Sequence, residues 1–254
     1  MSKLLFVVLA ALLALFGLTP LAAAQEPAGP VVSNGIKIQF SSSPDAPPAA
    51  NVSTWCSLGP VGHDSAGRRV AITAGHCVGA PDSWYGRELT DAEAAQALVW
   101  DVNNTAAGPI GRVRFIAAKG GQDPARDYMV IQIRDDAVLS ELSPTGAQRV
   151  DSNEADGRPN VGQVVSKYGA TTGYSYGTVG WFNTYNGNFG SYAYHDAGDS
   201  GAAVVVKDTG QWVGIVTRNS FSWPPHTSLS AQRILADLNP RNITGSGFVP
   251  ANTQ

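Results

Sequence analysis

Three short segments carry side chains suited to attacking a carbonyl and moving a proton. In Ala71–Ile72–Thr73–Ala74–Gly75–His76–Cys77 an apolar, β-branched stretch runs into a glycine turn that bears a histidine. In Arg126–Asp127–Tyr128–Met129–Val130–Ile131–Gln132–Ile133 an acid opens an apolar run. In His195–Asp196–Ala197–Gly198–Asp199–Ser200–Gly201 glycines flank a serine, so the N–H groups of Gly198 and Ser200 can turn towards one point. Serine is a poor nucleophile near neutral pH and needs a neutral imidazole to take its proton. That imidazole needs a carboxylate to fix its tautomer, and two converging N–H groups would stabilise the oxyanion that forms. His76 is the candidate base, Asp127 the candidate carboxylate and Ser200 the candidate nucleophile. Asp123, Asp135 and Asp136 compete with Asp127 for the middle role, since acids open and close many strands.

The elements that must position these groups read mostly as strands. Val31–Phe40, Arg69–Thr73, Ala97–Asp101, Ile110–Ala117 and Asp127–Ile133 are β-branched or alternating and are bounded by Gly, Pro and Asp. A polar stretch from Arg134 to Asn160 looks like a connection between two halves. Strands resume at Val161–Tyr168, Gly177–Thr184, Ala202–Lys207 and Gln211–Thr217, and Asn186–Gly187 signals a hairpin. Thr90 to Glu93 matches a capping box. Ala231, Ile234, Leu235 and Leu238 recur at helical spacing, with Thr227 or Ser228 as possible caps and Asn239–Pro240 as the stop. No sequence repeat of fixed period is visible, which disfavours solenoids and propellers.

With these residues in view, the chain resembles the chymotrypsin/trypsin-like serine proteases. The resemblance rests on TAGHC around His76, the Asp127-opened strand and GDSG around Ser200, in that order. The segment from Gly169 through Thr171–Thr172–Gly173 to Gly177–Thr178–Val179 is similar to the G-x-TTG stretch of the bacterial secreted branch, the α-lytic protease and streptogrisin relatives. The resemblance implies an all-β fold of two packed Greek-key, six-stranded antiparallel barrels with a C-terminal α-helix. His76 and Asp127 would come from a first barrel within 25–140 and Ser200 from a second within 141–254. It further implies an oxyanion hole at Gly198 and Ser200, and a structural ion pair between Asp199 and the aligned Lys167. Three features depart from the family. Ala202–Ala203 follows GDSG, Ser166 and Tyr176 stand where the bacterial branch has a second disulfide, and no internal Ile-Val-Gly-Gly activation site exists.

Specificity is less legible. By the same resemblance, Thr217, Arg218 and Asn219 fall on the wall of the primary pocket, with Tyr194 and His226 near it. An Arg/His-lined pocket would favour a carboxylate before the scissile bond, whereas side chains of Arg218 and His226 turned to solvent would leave no such preference. No acid stands out as the base of a trypsin-like pocket.

Export accounts for the N-terminus. Lys3, the apolar run Leu4–Leu18 and Ala22–Ala23–Ala24 predict a cleaved signal over 1–24 and a secreted protein without stable membrane association. In an oxidising compartment Cys56 and Cys77 are expected to pair, closing a loop of about 20 residues. The net charge is −3 with no Lys/Arg block, which removes the electrostatic footprint of a nucleic-acid binder. No zinc-like ligand spacing occurs, so neither metal nor cofactor is expected, and the expected partner is a polypeptide substrate met by a monomer. Two other functions fit parts of the sequence. One is a trypsin-fold binding protein without activity. The other is a secreted esterase of the α/β-hydrolase type using Ser200, Asp208 and His226, although Gly198–Asp199–Ser200–Gly201–Ala202 lacks the second glycine of its G-x-S-x-G turn.

Overall fold

The computed structural model describes residues 29–49, 54–119, 122–152 and 157–251. The export signal expected at 1–24 lies outside them, and no helix among the described residues is long and apolar enough to cross a membrane. The first half holds β1 (Val31–Ser33), β2 (Lys37–Ser41), β3 (Cys56–Ser57), β4 (Val61–His63), β5 (Arg69–Thr73), the short helix α1 (Asp91–Ala94), β6 (Leu98–Asp101), β7 (Gly111–Ile116), β8 (Met129–Ile133) and β9 (Val138–Ser140). The second holds β10 (Val164–Gly169), β11 (Gly173–Phe182), β12 (Asn188–Ser191), β13 (Ala203–Val206), β14 (Trp212–Asn219), β15 (His226–Ser230), the helix α2 (Ala231–Leu238) and β16 (Val249–Pro250).

The second half is a closed six-stranded barrel in the order β10-β11-β12-β15-β14-β13. Strands of the first half, joined by β16 from the C-terminal end, form an eight-stranded sheet in the order β16-β4-β5-β8-β7-β6-β2-β3, and β1 and β9 pair separately. Only Leu58–Gly59–Pro60 separates β3 from β4, so these well-separated strands of the sheet are one chain segment, broken where Pro60 offers no N–H. Counted as a single strand, that segment curls the sheet into a second six-stranded unit with the pairing scheme of the barrel. In each unit the third strand pairs with the sixth and the first with the fourth, the Greek-key connection. Apart from the β1–β9 pair, the strands named here pair antiparallel, so the βαβ alternation of an α/β-hydrolase is absent from them.

Three apolar clusters follow from this arrangement. One, built around Ile38, Leu58, Val99, Val113 and Ile131, fills the first unit, and a second around Val165, Phe189, Val204 and Val213 fills the barrel. The third lies between them, joining Ile72, Phe115 and Val130 to Val205, Ile215 and Leu229. Helix α2 closes this seam with Ala231, Ile234 and Leu238 buried at i, i+3, i+7.

Several local expectations change. Val31–Phe40 is two strands, because the turn at Asn34–Gly35 puts Gly35 at φ +77°. The cap of α2 is Ser230, whose side chain accepts from Arg233 N, while Thr227 and Ser228 lie within β15 and pair with β12. β11 starts at Gly173 rather than Gly177, since the Thr171–Thr172 turn lets Gly169 pair directly with Gly173. In the Asn186–Gly187 hairpin only Gly187 has positive φ, and the loop closes further out, with Asn183 N donating to Asn188 O. The capping box at Thr90 and Glu93 forms in both directions.

Cys56 and Cys77 are bonded, tying β3 to the turn after β5 across 21 positions of chain. Replacing both by serine is expected to lower the free energy of unfolding by about 3 kcal/mol, read from denaturant midpoints, and a loss below about 1 kcal/mol would contradict the loop-closure account.

Candidate active site

His76 stands on the single helical turn Gly75–Cys77 at the end of β5, and Asp127 directly precedes the strand that pairs with β5. A Cβ on Gly75 would come within 3.0 Å of Tyr128 O, so the glycine lets the two segments approach. Asp127 Oδ1 accepts from His76 N at 2.9 Å and Oδ2 lies 2.8 Å from His76 Nδ1. With both carboxylate oxygens serving as acceptors, Nδ1 carries the hydrogen and Nε2 presents its lone pair. Asp127 is buried, whereas a third of the His76 side chain is exposed. Two of the competing acids are occupied elsewhere. Asp123 accepts from Ala125 N as a cap, and Asp136 pairs with Arg134.

The loop bearing Ser200 is shaped by one buried carboxylate. Asp199 accepts from the amides of Thr171, Thr172 and Asp196, from the Thr172 hydroxyl and from Lys167 Nζ at 3.0 Å. Lys167 also donates to Gly173 O at 2.9 Å and to the Thr172 hydroxyl, and both ionic side chains are essentially inaccessible. Burial alone would raise the Asp199 pKa, but the Thr172 hydroxyl, the Lys167 ammonium and the backbone amides hold it below its usual value. Burial pulls the Lys167 ammonium down, against the charge of Asp199 that supports it. The TTG turn is thus the clamp on this loop, and a Cβ on Gly169 would collide with the Asp199 carboxylate.

The consequence shows in the backbone. The amides of Ala197, Asp199 and Gly201 donate to Asp196 Oδ1, Asp196 O and Val216 O. Among the described residues, those of Gly198 and Ser200, which alternate with them, donate to no protein acceptor. Gly198 has φ +93° and Gly201 φ +89°. The first unit fixes the loop from the other side. Ser57 N donates to Ser200 O and Ser57 Oγ to Gly198 O, each at 2.9 Å. Trp55 Nε1 donates to Thr171 Oγ1, which donates to Ala197 O. A Cβ on Gly198 would meet both Trp55 and Thr171 under 2.5 Å.

His76, Ser200 and Gly198 line one cleft of about 970 Å3. No direct hydrogen bond joins Ser200 to His76 among the described residues.

The five pocket candidates fall outside that cleft. Thr217 is buried and donates to Thr227 O, and Arg218 is exposed. His226 Nδ1 lies 3.0 Å from Asn219 Oδ1, and its ring packs edge-on against Tyr194. Sequence reasoning missed His195, whose ring lies 4.9 Å from that of His226 and whose buried Nε2 has no partner. Burial, reinforced by His226, lowers the His195 pKa to about 4, and burial also lowers that of His226. Trp55 was missed as well. For both, the signal was adjacency in sequence to a motif residue, His195 to the GDSG loop and Trp55 to Cys56.

No protein-family model matches the chain. It is 30% identical over 199 residues to the uncharacterized protein Rv1815 of Mycobacterium tuberculosis strain H37Rv, covering 72% of this chain and 77% of that protein. The uncharacterized protein MT1863 of strain CDC 1551 matches equally. Among solved structures, Thermobifida fusca Protease A superposes with TM-score 0.55 at 18% identity, covering 87% of this chain and all of that one. The Nocardiopsis protease gives 0.53 at 18% identity over 84% and 98%. A glutamic-acid-specific serine protease, described as using a histidine triad in substrate binding, gives 0.54 at 19% identity over 84% and 99%.

Removing one partner of a buried ion pair strands the other charge. Lys167→Met is therefore expected to cost about 3–5 kcal/mol of stability, measured by denaturant unfolding, and a near-neutral variant would show that Asp199 does not need its cation.

Proposed function

Because this chain belongs to one family with the mycobacterial protein Rv1815 and has the double-barrel fold of the bacterial chymotrypsin-like serine proteases, we propose that it is a secreted serine endopeptidase. The observation that carries this reading is the Asp127–His76 pair at 2.8 Å facing the same cleft as Ser200 and the two unused amides of Gly198 and Ser200. In this mechanism His76 Nε2 takes the Ser200 proton as Oγ attacks the substrate carbonyl. The Gly198 and Ser200 amides receive the developing oxyanion. The proton then passes to the departing amine, and water resolves the acyl-enzyme through the same base. Asp127 holds the imidazole in the required tautomer and stabilises its cationic form.

Ser200→Ala is expected to lower kcat on an activated ester by about 10^6-fold and to abolish labelling by a serine-directed phosphonate. Asp127→Asn is expected to cost about 10^4-fold in kcat. Equal labelling of wild type and Ser200→Ala would refute Ser200 as the nucleophile, and a wild type that neither hydrolyses the ester nor takes the label would be a trypsin-fold binding module.

A specific observation favours an acidic residue on the acyl side. The rings of His195 and His226 meet edge-on among the pocket candidates, with His195 buried. The solved structure described as glutamic-acid specific uses histidines in substrate binding. Both imidazoles favour the neutral form, so an entering carboxylate would bring a proton with it. Preference for Asp or Glu is therefore expected to strengthen as pH falls from 8 towards 5, read by profiling a peptide library at the two values. A library profile without acidic residues at both would remove the reading.

A further inference from the structure

The large cavity at the candidate site is not on the pocket side. Thr217, Arg218, Asn219, Tyr194 and His226, the candidates for holding the acyl part of a substrate, line none of it. Its apolar walls come mainly from the first unit, with Phe40, Trp55, Trp84, Val78 and the Cys56–Cys77 bridge around His76, and the Ser200 loop with Thr171 closes it from the barrel. At about 970 Å3 it is at the top of the roughly 300–1,000 Å3 range of ligand pockets, room for more than one side chain. His76 lies on this wall, and a base that later protonates the departing amine must face that amine. Apart from His76, Asp196 is the one ionisable side chain among the described lining residues, and the Lys37 ammonium lies 3.6 Å from the centroid of the Trp55 ring.

Resting on the serine-endopeptidase reading, we propose that this cleft binds the leaving-group side of the substrate and selects a large apolar residue just after the scissile bond. Aromatic walls joined to a disulfide gain free energy only from apolar surface removed from water. A glycine in that place would bury nothing, and an acidic side chain would be desolvated beside the carboxylate of Asp196. Trp55 couples the subsite to the chemistry, since its indole packs on Gly198 and holds Thr171 against the oxyanion loop.

The reverse of the cleavage step reads the cleft directly. When an activated ester acylates the enzyme, an added amino-acid amide competes with water for the acyl group. Its nitrogen attacks the ester carbonyl, the C–N bond forms as the C–Oγ bond to Ser200 breaks, and the amine proton passes through His76 to Oγ. The measurement is the partition between amide product and acid product with Leu-amide, Phe-amide, Gly-amide and Arg-amide as acceptors. Leu-amide and Phe-amide are expected to capture the acyl group roughly tenfold or more better than Gly-amide. In Phe40→Ala that ratio is expected to shrink, a readout independent of how much folded enzyme is present. Ester hydrolysis with equal partition among the acceptors, or with Arg-amide preferred, overturns the apolar subsite while leaving the endopeptidase reading standing. Absence of ester hydrolysis altogether overturns both.

Discussion

Everything at the site depends on a charge that water cannot reach. Asp199 is sealed behind the TTG turn, and its hydrogen bonds to Thr171, Thr172, Asp196 and Lys167 dictate the path of the chain from residue 196 to 201. A buried ion pair adds little net stability over an apolar replacement, because desolvation offsets the attraction. It does fix geometry, since every lone pair left unused would be costly in so dry a place. The unused amides of Gly198 and Ser200 are the local counterpart. They can remain free because their neighbours are bound and the glycine conformations leave them no acceptor of their own.

That loop belongs to the barrel, but the barrel alone does not hold it. Ser57, on a two-residue strand of the first unit, bonds to both Ser200 and Gly198, and its carbonyl accepts from Thr73. Gly59 and Gly201 pack so closely across the seam that a Cβ on either would strike the other segment's backbone. The seam cluster with helix α2 supplies the apolar adhesion that keeps these polar contacts in register. Asp127 and His76 on one side and Ser200 on the other are thus brought together by docking, with tolerances set by glycine.

The two walls of the site differ in kind. On the side read as the primary pocket, histidines, a tyrosine and an asparagine contact one another, and the fixed charge of Arg218 stands exposed. On the other side lies open, aromatic-lined space. One flank thus offers directional polar groups and the other apolar area.

The sequence by itself determined what is covalent or local. With two cysteines one pairing was available, the capping box sat within one turn, apolar runs marked the buried strands β5 and β8, and helical spacing marked the buried face of α2. The alignment to the bacterial branch also placed Lys167 opposite Asp199. Other features were beyond its reach. The two units share one pairing scheme without any sequence repeat, because backbone hydrogen bonds fix topology while side chains only have to fill each core. Thr227 and Ser228, read as possible caps, became part of the strand His226–Ser230, since its pairing with β12 and β14 depends on other segments of the chain. His195, Trp55 and the cleft of Phe40 and Trp84 gained their meaning from contacts between segments distant in the chain, 116 positions apart in the case of Trp55 and Thr171. Only the tertiary structure could decide these, because the free energy that sets them arises when surfaces distant in sequence exclude water together.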